Sequence, residues 1–242
     1  MAVVSGGRNI CGVSIGVLSL ESYFPKPPGH IKNPSSLSFT TSYEIITGLT
    51  IPVLLNNPSP DMIAPLIAAA QRLEKSGVKA ITGSCGFLAL FQNEIAAAVN
   101  VPVFVSSLIQ AELIHRMTGR PVGVLTASAD LLSPRHLAAV GAENTPLVIE
   151  GMQEGTEFAD VILRNSRNDM DLEKIEAELL AAGERLVARA PEVGAILLEC
   201  TDLPPYAHAL QSRLDRPVFD IITLATMIDH AVLRQPFSGF IN

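Results

Sequence analysis

Tryptophan is absent from the 242 residues, and charge is sparse, with Asp, Glu, Lys and Arg together making 17% of the chain. Basic side chains are the scarcer sign, 17 Lys and Arg against 24 Asp and Glu, for a formal net charge of −7. No cluster of Lys or Arg offers a track for phosphates, which argues against nucleic acid as a partner. Cysteine occurs three times, at no framework spacing, so a disulfide-stapled secreted scaffold is excluded and a reducing cytoplasm is the expected compartment. There is no C-x-x-C, and His30, His115, His136, His208 and His230 show no metal-ligand spacing, so no metal is expected. Neither a dinucleotide nor a phosphate-loop glycine motif follows any strand pattern, and no lysine stands where a pyridoxal Schiff base would need it. The expectation is a protein without cofactor. The apolar run from Ile10 to Leu20, behind Arg8, is too short to span a membrane and lacks a small-residue cleavage site. It reads as a buried first strand, and no membrane partner is expected.

What is present is apolar surface in short runs. Hydrophobic residues make 48% of the chain, which suits buried parallel strands. Two of these runs repeat. Residues 78–85 read VKAITGSC, and residues 193–200 read VGAILLEC. The offset of 115 recurs downstream, where Pro102-Val103-Phe104 is echoed by Pro217-Val218-Phe219. Upstream, Arg72-Leu73-Glu74 is echoed by Arg185-Leu186-Val187, and Gly16-Val17-Leu18 by Gly123-Val124-Leu125. The order is kept while the offset drifts, as loop insertions produce. The period is too long for a solenoid, so two similar lobes are expected.

Strand patterns fall at Val13–Leu18, Ile51–Leu55, Val78–Thr82, Val101–Val105, Val122–Thr126, Leu147–Ile149, Gly194–Leu198 and Pro217–Ile221. Helical patterns fall at Asp61–Ser76, Ala89–Val99, Ser107–Met117, Ser133–Val140, Asp171–Ala190 and Pro205–Leu214, with Asp61 and Ser133 as N-caps and Pro134 at the first helical position. The alternation predicts an α/β fold of two pseudo-symmetric lobes, each a parallel sheet flanked by helices, with ligands at the carboxyl ends of the strands. The lobes are expected at 1–117 plus 222–242 and at 118–221. Residues 21–42 interrupt the rhythm with a proline-, serine- and threonine-rich stretch straight after the first strand, the place for a lid or substrate loop.

Cys85 and Cys200 close the two repeated strands, each ahead of a helical pattern. A free cysteine is often a buried small hydrophobe, but paired placement at matched strand ends favours chemistry. A thiol at a helix N-terminus is expected to have a lowered pKa. Two such thiols facing across a cleft supply a base and an acid on opposite faces of a carbon, as inversion requires. The N–H groups of Gly86 and Thr201, with nearby hydroxyls, are placed to hold a carboxylate as it gains enediolate character. Cys11 has no partner in the repeat and is expected to be structural. Thr126 and Ser128, at a strand end, bind substrate or cap, and Ser106 and Ser107, which end another strand, are expected as caps. Asp202 either orients Cys200 and a substrate ammonium or serves as a helix N-terminal acid.

The pair Ser84-Cys85-Gly86-Phe87 and Glu199-Cys200-Thr201-Asp202-Leu203-Pro204 in two α/β lobes resembles the aspartate/glutamate racemase superfamily. Its members include cofactor-independent racemases of glutamate, aspartate and hydantoins, maleate isomerase and arylmalonate decarboxylase. Cys200-Thr201-Asp202 is similar to the second-cysteine motif of the amino-acid racemases, and Ser84 stands beside the first cysteine. The run 123–128 resembles the strand that opens the second lobe and supplies a hydroxyl to the ligand carboxylate. The resemblance implies a cofactor-independent isomerase with catalytic Cys85 and Cys200. Substrate contacts are then expected at Glu21, Ser22, Ser84, Gly86, Phe87, Thr126, Ser128, Thr201 and Asp202, those at Glu21 and Ser22 by position alone. It also implies that the C-terminal segment packs on the first lobe. The expected substrate is a small carboxylate, amino acid or hydantoin. The apolar Gly86-Phe87-Leu88 departs from the polar pair usual after the first cysteine, which sets glutamate and aspartate themselves apart from the expectation. Retention of both cysteines argues against an arylmalonate-type decarboxylase. A maleate-type isomerase using cysteine addition, and a ligand-binding protein with redox-sensitive cysteines, are the alternatives. A homo-oligomer is compatible with so small and apolar a chain.

Overall fold

The structure, a computed structural model, describes residue 3 and residues 5–241. In chain order its strands are β1 (Ile15–Glu21), β2 (Thr41–Thr50), β3 (Ala80–Gly83), β4 (Val103–Phe104), β5 (Val122–Thr126), β6 (Leu147–Gly151), β7 (Ala195–Leu198) and β8 (Val218–Phe219). The α-helices are α1 (Ile51–Asn56), α2 (Ile63–Ser76), α3 (Gln92–Ala97), α4 (Ala111–Thr118), α5 (Pro134–Ala139), α6 (Thr156–Phe158), α7 (Leu172–Arg189), α8 (Ala207–Leu214) and α9 (Ile221–Val232). Among the described residues no helix is long and apolar enough to cross a membrane.

Two four-stranded parallel sheets form, with orders β2-β1-β3-β4 and β6-β5-β7-β8. The duplication read in the sequence is therefore a duplication of topology, and the register repeats with it. Gly16 pairs with Ile81 in the first sheet and Gly123 with Ile196 in the second. The repeated glycine has a steric cause. A Cβ on Gly16 would stand 2.9 Å from Leu73 Cδ2 of α2, and one on Gly123 would stand 2.7 Å from Leu186 Cδ2 of α7. Each lobe thus lays the leucine of its Arg-Leu pair on a strand glycine that lets helix and sheet approach closely. The arginines match as well. Arg72 Nε pairs with Glu44 at 3.0 Å, and Arg185 Nε with Glu150 at 2.9 Å. Those glutamates sit opposite Leu18 and Leu125, the equivalent positions of β1 and β5.

One apolar core runs through both lobes, and a smaller one lies on the other face of the first sheet. There Ile221, Leu224 and Ala225 of α9 cluster with Ile15, Val17, Ala80 and Phe104. The C-terminal helix thus covers the first sheet, while Phe237, Phe240 and Ile241 beyond it are exposed.

Two expectations are corrected. Ile51–Leu55 is α1, not a strand. Ile51, Leu54 and Leu55 are buried at helical spacing, and the Thr50 hydroxyl accepts from Val53 N–H as N-cap. The strand is the preceding Thr41–Thr50, whose mixed polar and apolar, mostly half-buried pattern is that of a sheet edge. Asp61 is not a cap either: Ser59 caps the 3-10 turn Pro60–Met62 that leads into α2. Ser133 does cap α5, in a capping box with His136 and with Pro134 next.

Candidate active site

β3 and β7 end side by side in the middle of the molecule and deliver Ser84-Cys85-Gly86 and Glu199-Cys200-Thr201 into contact. Thr201 Oγ1 donates to the Ser84 carbonyl at 2.7 Å. A Cβ on Gly86 would lie 2.1 Å from Glu199 Oε1 and 2.3 Å from its carbonyl oxygen, so glycine is required for the two segments to meet. Ser107 Oγ adds a bond between the lobes, donating to the Leu198 carbonyl at 2.7 Å. It is not a cap, whereas Ser106 caps the turn Ser107–Gln110.

Cys85 and Cys200 are both buried and unpaired in disulfides, with 8% and 6% of their surface exposed. The expectation of lowered thiol pKa values is overturned. Burial raises both well above the usual thiol range. At Cys85 the Glu199 carboxyl adds to the rise, and at Cys200 Asp202 does. The helices expected to offset this are weak. Cys85 leads into a 3-10 helix, Gly86–Phe91, and Cys200 into a turn ahead of the short 3-10 helix Pro204–Tyr206. What remains of the dipole argument is one backbone N–H per thiol, from Phe87 towards Cys85 and from Asp202 towards Cys200. The pseudo-symmetry holds at that level.

Asp202 is the polar centre of the second-lobe half. Its Oδ2 accepts from the Cys200 thiol at 3.5 Å, and its Oδ1 lies 2.8 Å from His30 Nε2. His30 Nδ1 accepts from the Lys32 backbone N–H at 2.8 Å, so Nε2 carries the ring proton and donates it to Asp202. Burial works to raise the Asp202 pKa, but the His30 hydrogen bond, the neighbouring charges and the Cys200 thiol outweigh it, leaving the carboxyl below its usual range. Asp202 is an ionised acceptor for the Cys200 proton.

His30 belongs to residues 22–40, which fold back over the strand ends as a strap. Gly29, at φ +104°, lies so close to Pro205 that a Cβ would stand 2.6 Å from its Cα. Lys32 Nζ donates to the Leu20 carbonyl at 2.7 Å and to Ser22 Oγ at 2.9 Å. Its charge reaches Asp202 and Cys85. Lys26 donates to the Phe24 carbonyl and stands 3.6 Å over the Phe24 ring, and burial together with the Lys32 charge brings its pKa down to about 8.

The other expected residues divide into two groups. Ser84 Oγ accepts from Leu20 N–H at 2.9 Å, tying β3 to β1. Thr126 Oγ1 donates to Glu199 Oε2 at 2.8 Å, so it is not a cap. Phe87 is buried and meets the His136 ring edge-on, with centroids 4.8 Å apart. Ser128 is buried beyond the end of β5, and its carbonyl accepts from Leu132 N–H in the turn that follows. Glu21 turns away from the thiols, its carboxylate accepting from Tyr23 Oη at 2.5 Å and Gly48 N–H at 2.8 Å. Ser22 reaches the site through Lys32 alone. Sequence reasoning missed Glu199, His30, Lys26 and Lys32. The last three sit in the segment marked as a lid, and Glu199 is written into the repeat beside its cysteine. Among the described residues no group of three or more His, Cys, Asp or Glu side chains is gathered as a metal site would require.

The Asp/Glu/Hydantoin racemase family matches residues 40–228. The chain belongs to that family. Dimethylsulfoniopropionate lyase 3 of Emiliania huxleyi is 30% identical over 241 residues, which cover 95% of this chain and 62% of the lyase. The dimethylsulfoniopropionate lyase of Durusdinium sp. clade D is 29% identical over 240 residues, 96% of this chain and 79% of that one. The chain thus spans about 62% of the longer of these two relatives. Among solved structures, unliganded arylmalonate decarboxylase superposes with TM-score 0.59 at 18% identity, over 91% of this chain and 92% of the other. Glutamate racemase of Francisella tularensis, in complex with D-glutamate, gives 0.53 at 17% identity, over 91% and 80%. These two share the fold. The family is one of enzymes, and the proteins named here do not share a reaction: the curated relatives are lyases, and the solved structures of like fold are a decarboxylase and a racemase. The expected isomerase class therefore does not follow from membership.

Proposed function

We propose that the protein is a lyase that removes a proton from the carbon next to a carboxylate and expels a leaving group from the adjoining carbon, with dimethylsulfoniopropionate as the first candidate substrate. The observation that carries this reading is the Cys200 thiol bonded to an ionised Asp202 in a buried site, in a chain 30% identical over 95% of its length to a dimethylsulfoniopropionate lyase.

The chemistry balances on these residues. Asp202 accepts the thiol proton, and the Cys200 thiolate takes a proton from the α-carbon. The C–H electron pair becomes the new Cα=Cβ bond. The Cβ–S bond breaks, and its pair leaves on sulfur as neutral dimethyl sulfide, with acrylate as the other product. A sulfonium needs no proton to depart, so elimination asks for one base, whereas inversion asks for two groups on opposite faces.

The charges suit a substrate that is positive at one end and negative at the other. Burial and the carboxyls of Asp202 and Glu199 hold both thiols in the protonated form. A sulfonium placed beside them favours the thiolate at the moment the substrate arrives. The ammonium of Lys32, with two bonds to the protein, has a third donor for the substrate carboxylate as it gains enediolate character.

Dimethylsulfoniopropionate incubated with the protein should release dimethyl sulfide, read by headspace gas chromatography. Cys200→Ser should lower kcat/KM by at least about a hundredfold, the range of a lost general base, and Cys85→Ser by less. No release of dimethyl sulfide overturns the reading. The matched backbone N–H at each thiol favours a second one, two-thiol racemisation. Its signature is α-deuterium exchange into an amino acid or hydantoin in deuterated water, abolished equally by both serine variants.

A further inference from the structure

Glu199 is a buried carboxyl that the elimination above does not use. It is 0% exposed, and its two oxygens have different surroundings. Oε2 accepts from Thr126 Oγ1 at 2.8 Å, and Ala127 N–H also faces the carboxyl. Oε1 has no hydrogen-bond partner, although it is fully buried. It lies against Gly86, the residue after Cys85, where a Cβ would come within 2.1 Å. A buried carboxyl oxygen without a partner costs free energy and calls for a reason.

The duplication supplies a comparison from the other lobe. Glu199 holds the position that Ser84 holds in the first lobe, one residue before the cysteine. Ser84 Oγ accepts the Leu20 N–H at the end of β1. Ala127 lies at the equivalent place after β5, by the same offset that relates Gly16-Val17-Leu18 to Gly123-Val124-Leu125. A hydroxyl satisfies that N–H in one lobe, while the other uses a carboxyl with an oxygen to spare, turned to the segment that carries the opposite thiol.

We propose that Glu199 is a positioning residue whose charge is coupled through space to that of the Cys85 thiol, so that the pair, and not the cysteine alone, decides when Cys85 becomes a thiolate. Each thiol then has its own carboxyl, Asp202 for Cys200 and Glu199 for Cys85. The electrostatics agree. Burial brings the Glu199 pKa up to about 7, and after burial its charge is the largest influence raising Cys85. The other charged or titratable groups facing the pair are Asp202 and Cys200 on the same segment and Lys32 on the strap. Above neutrality the pair has given up one proton. The thiolate with a protonated Glu199 then stays at a fixed population, because a second proton has to leave against a buried charge.

The proposal rests on Cys85 being a reacting thiol, but its test needs no substrate. In the full chain with the exposed Cys11 changed to Ser, Cys85 is alkylated with iodoacetamide across about pH 6 to 9 and followed by peptide mass spectrometry. The parent rate should rise with pH and then level off above about pH 7. In Glu199→Gln, which keeps the shape and cannot ionise, it should keep rising, to about tenfold above the parent near pH 8.5. Glu199→Ser, the choice of the first lobe, should behave as the Gln variant does, and Cys200 should respond less than Cys85. Profiles for Cys85 that superimpose in parent and both variants overturn the proposal, whatever the outcome with dimethylsulfoniopropionate.

Discussion

At the scale of single residues the site is a set of buried groups, each fixed by one or two partners. Asp202 is the clearest case, a carboxylate 8% exposed whose ionisation depends on the proton given by His30 Nε2. Removing the donor from a buried carboxylate leaves that charge without its hydrogen bond, at about 1–3 kcal/mol or somewhat more. His30→Ala should therefore lower unfolding free energy by about 3 kcal/mol in a urea titration at neutral pH, while His30→Gln, which retains a donor, should lose less. The sign follows from the depressed Asp202 pKa. That group stabilises the fold above its ordinary value of 3.8 and ceases to as pH falls through its lower folded value, so the deficit of His30→Ala should shrink in acid. Equal stability of parent and His30→Ala at neutral pH would refute the argument. The cysteines were legible in the sequence because duplication wrote them twice. His30 and Lys32 were not, because their meaning lies in a contact between residues 172 positions apart in one case and in the path of an irregular strap in the other. The direction of the thiol shift was misread for a physical reason: proximity to a helix start is a weak local effect, and burial, invisible in a two-residue motif, outweighs it.

At the scale of elements the strap 22–40 is what closes the site. It is held by His30 to Asp202, by Lys32 to the end of β1, and by the approach of Gly29 to Pro205. At Gly29 both the close approach of Pro205 and φ +104° exclude a side chain, so Gly29→Ala is a way to lift the strap without touching a reacting group. Overpacking of this kind costs about 1–3 kcal/mol, enough to displace the strap from Pro205. Alkylation of Cys85 and Cys200 should accelerate by about tenfold or more in this variant, with a lower melting temperature as the His30–Asp202 contact is lost. Unchanged alkylation would mean that the strap does not cover the thiols. The elements themselves show what sequence can carry. Seven of the eight strand patterns overlap strands because parallel, doubly covered strands are short apolar runs. The eighth, Ile51–Leu55, is equally apolar and equally short, and periodicity over five residues cannot separate a buried helix turn from a strand. The edge strand β2 escaped because most of its side chains are only partly buried and its apolar residues are broken up by Thr, Glu and Gly.

At the scale of the whole molecule, two buried groups set opposite pH dependences on the two sides of one contact. Glu199 is held neutral up to about pH 7, against an ordinary value of 4.5. Between those values the unfolded chain has released a proton that the folded chain keeps, so stability falls as pH rises, by roughly 3 kcal/mol in all. His136 runs the other way. Burial, chiefly, lowers its pKa from 6.5 to about 4, its Nε2 is buried without a partner, and its ring meets Phe87 in the segment after Cys85. Between about 4 and 6.5 the unfolded chain takes up a proton that the folded chain refuses, so there stability rises with pH. The two windows overlap, and the parent should show a nearly flat melting temperature between about pH 5 and 6.5. Glu199→Gln removes the falling contribution, and its melting temperature should climb with pH across that span. His136→Gln removes the rising one, and its melting temperature should fall. Melting curves of the three proteins in matched buffers decide this, and parallel pH profiles would show that Glu199 and His136 do not titrate as buried groups. The same duplication that doubled the sheets thus leaves the molecule with a neutral acid and a neutral base on either side of Gly86-Phe87. Its tolerance to pH near neutrality then depends on both being kept.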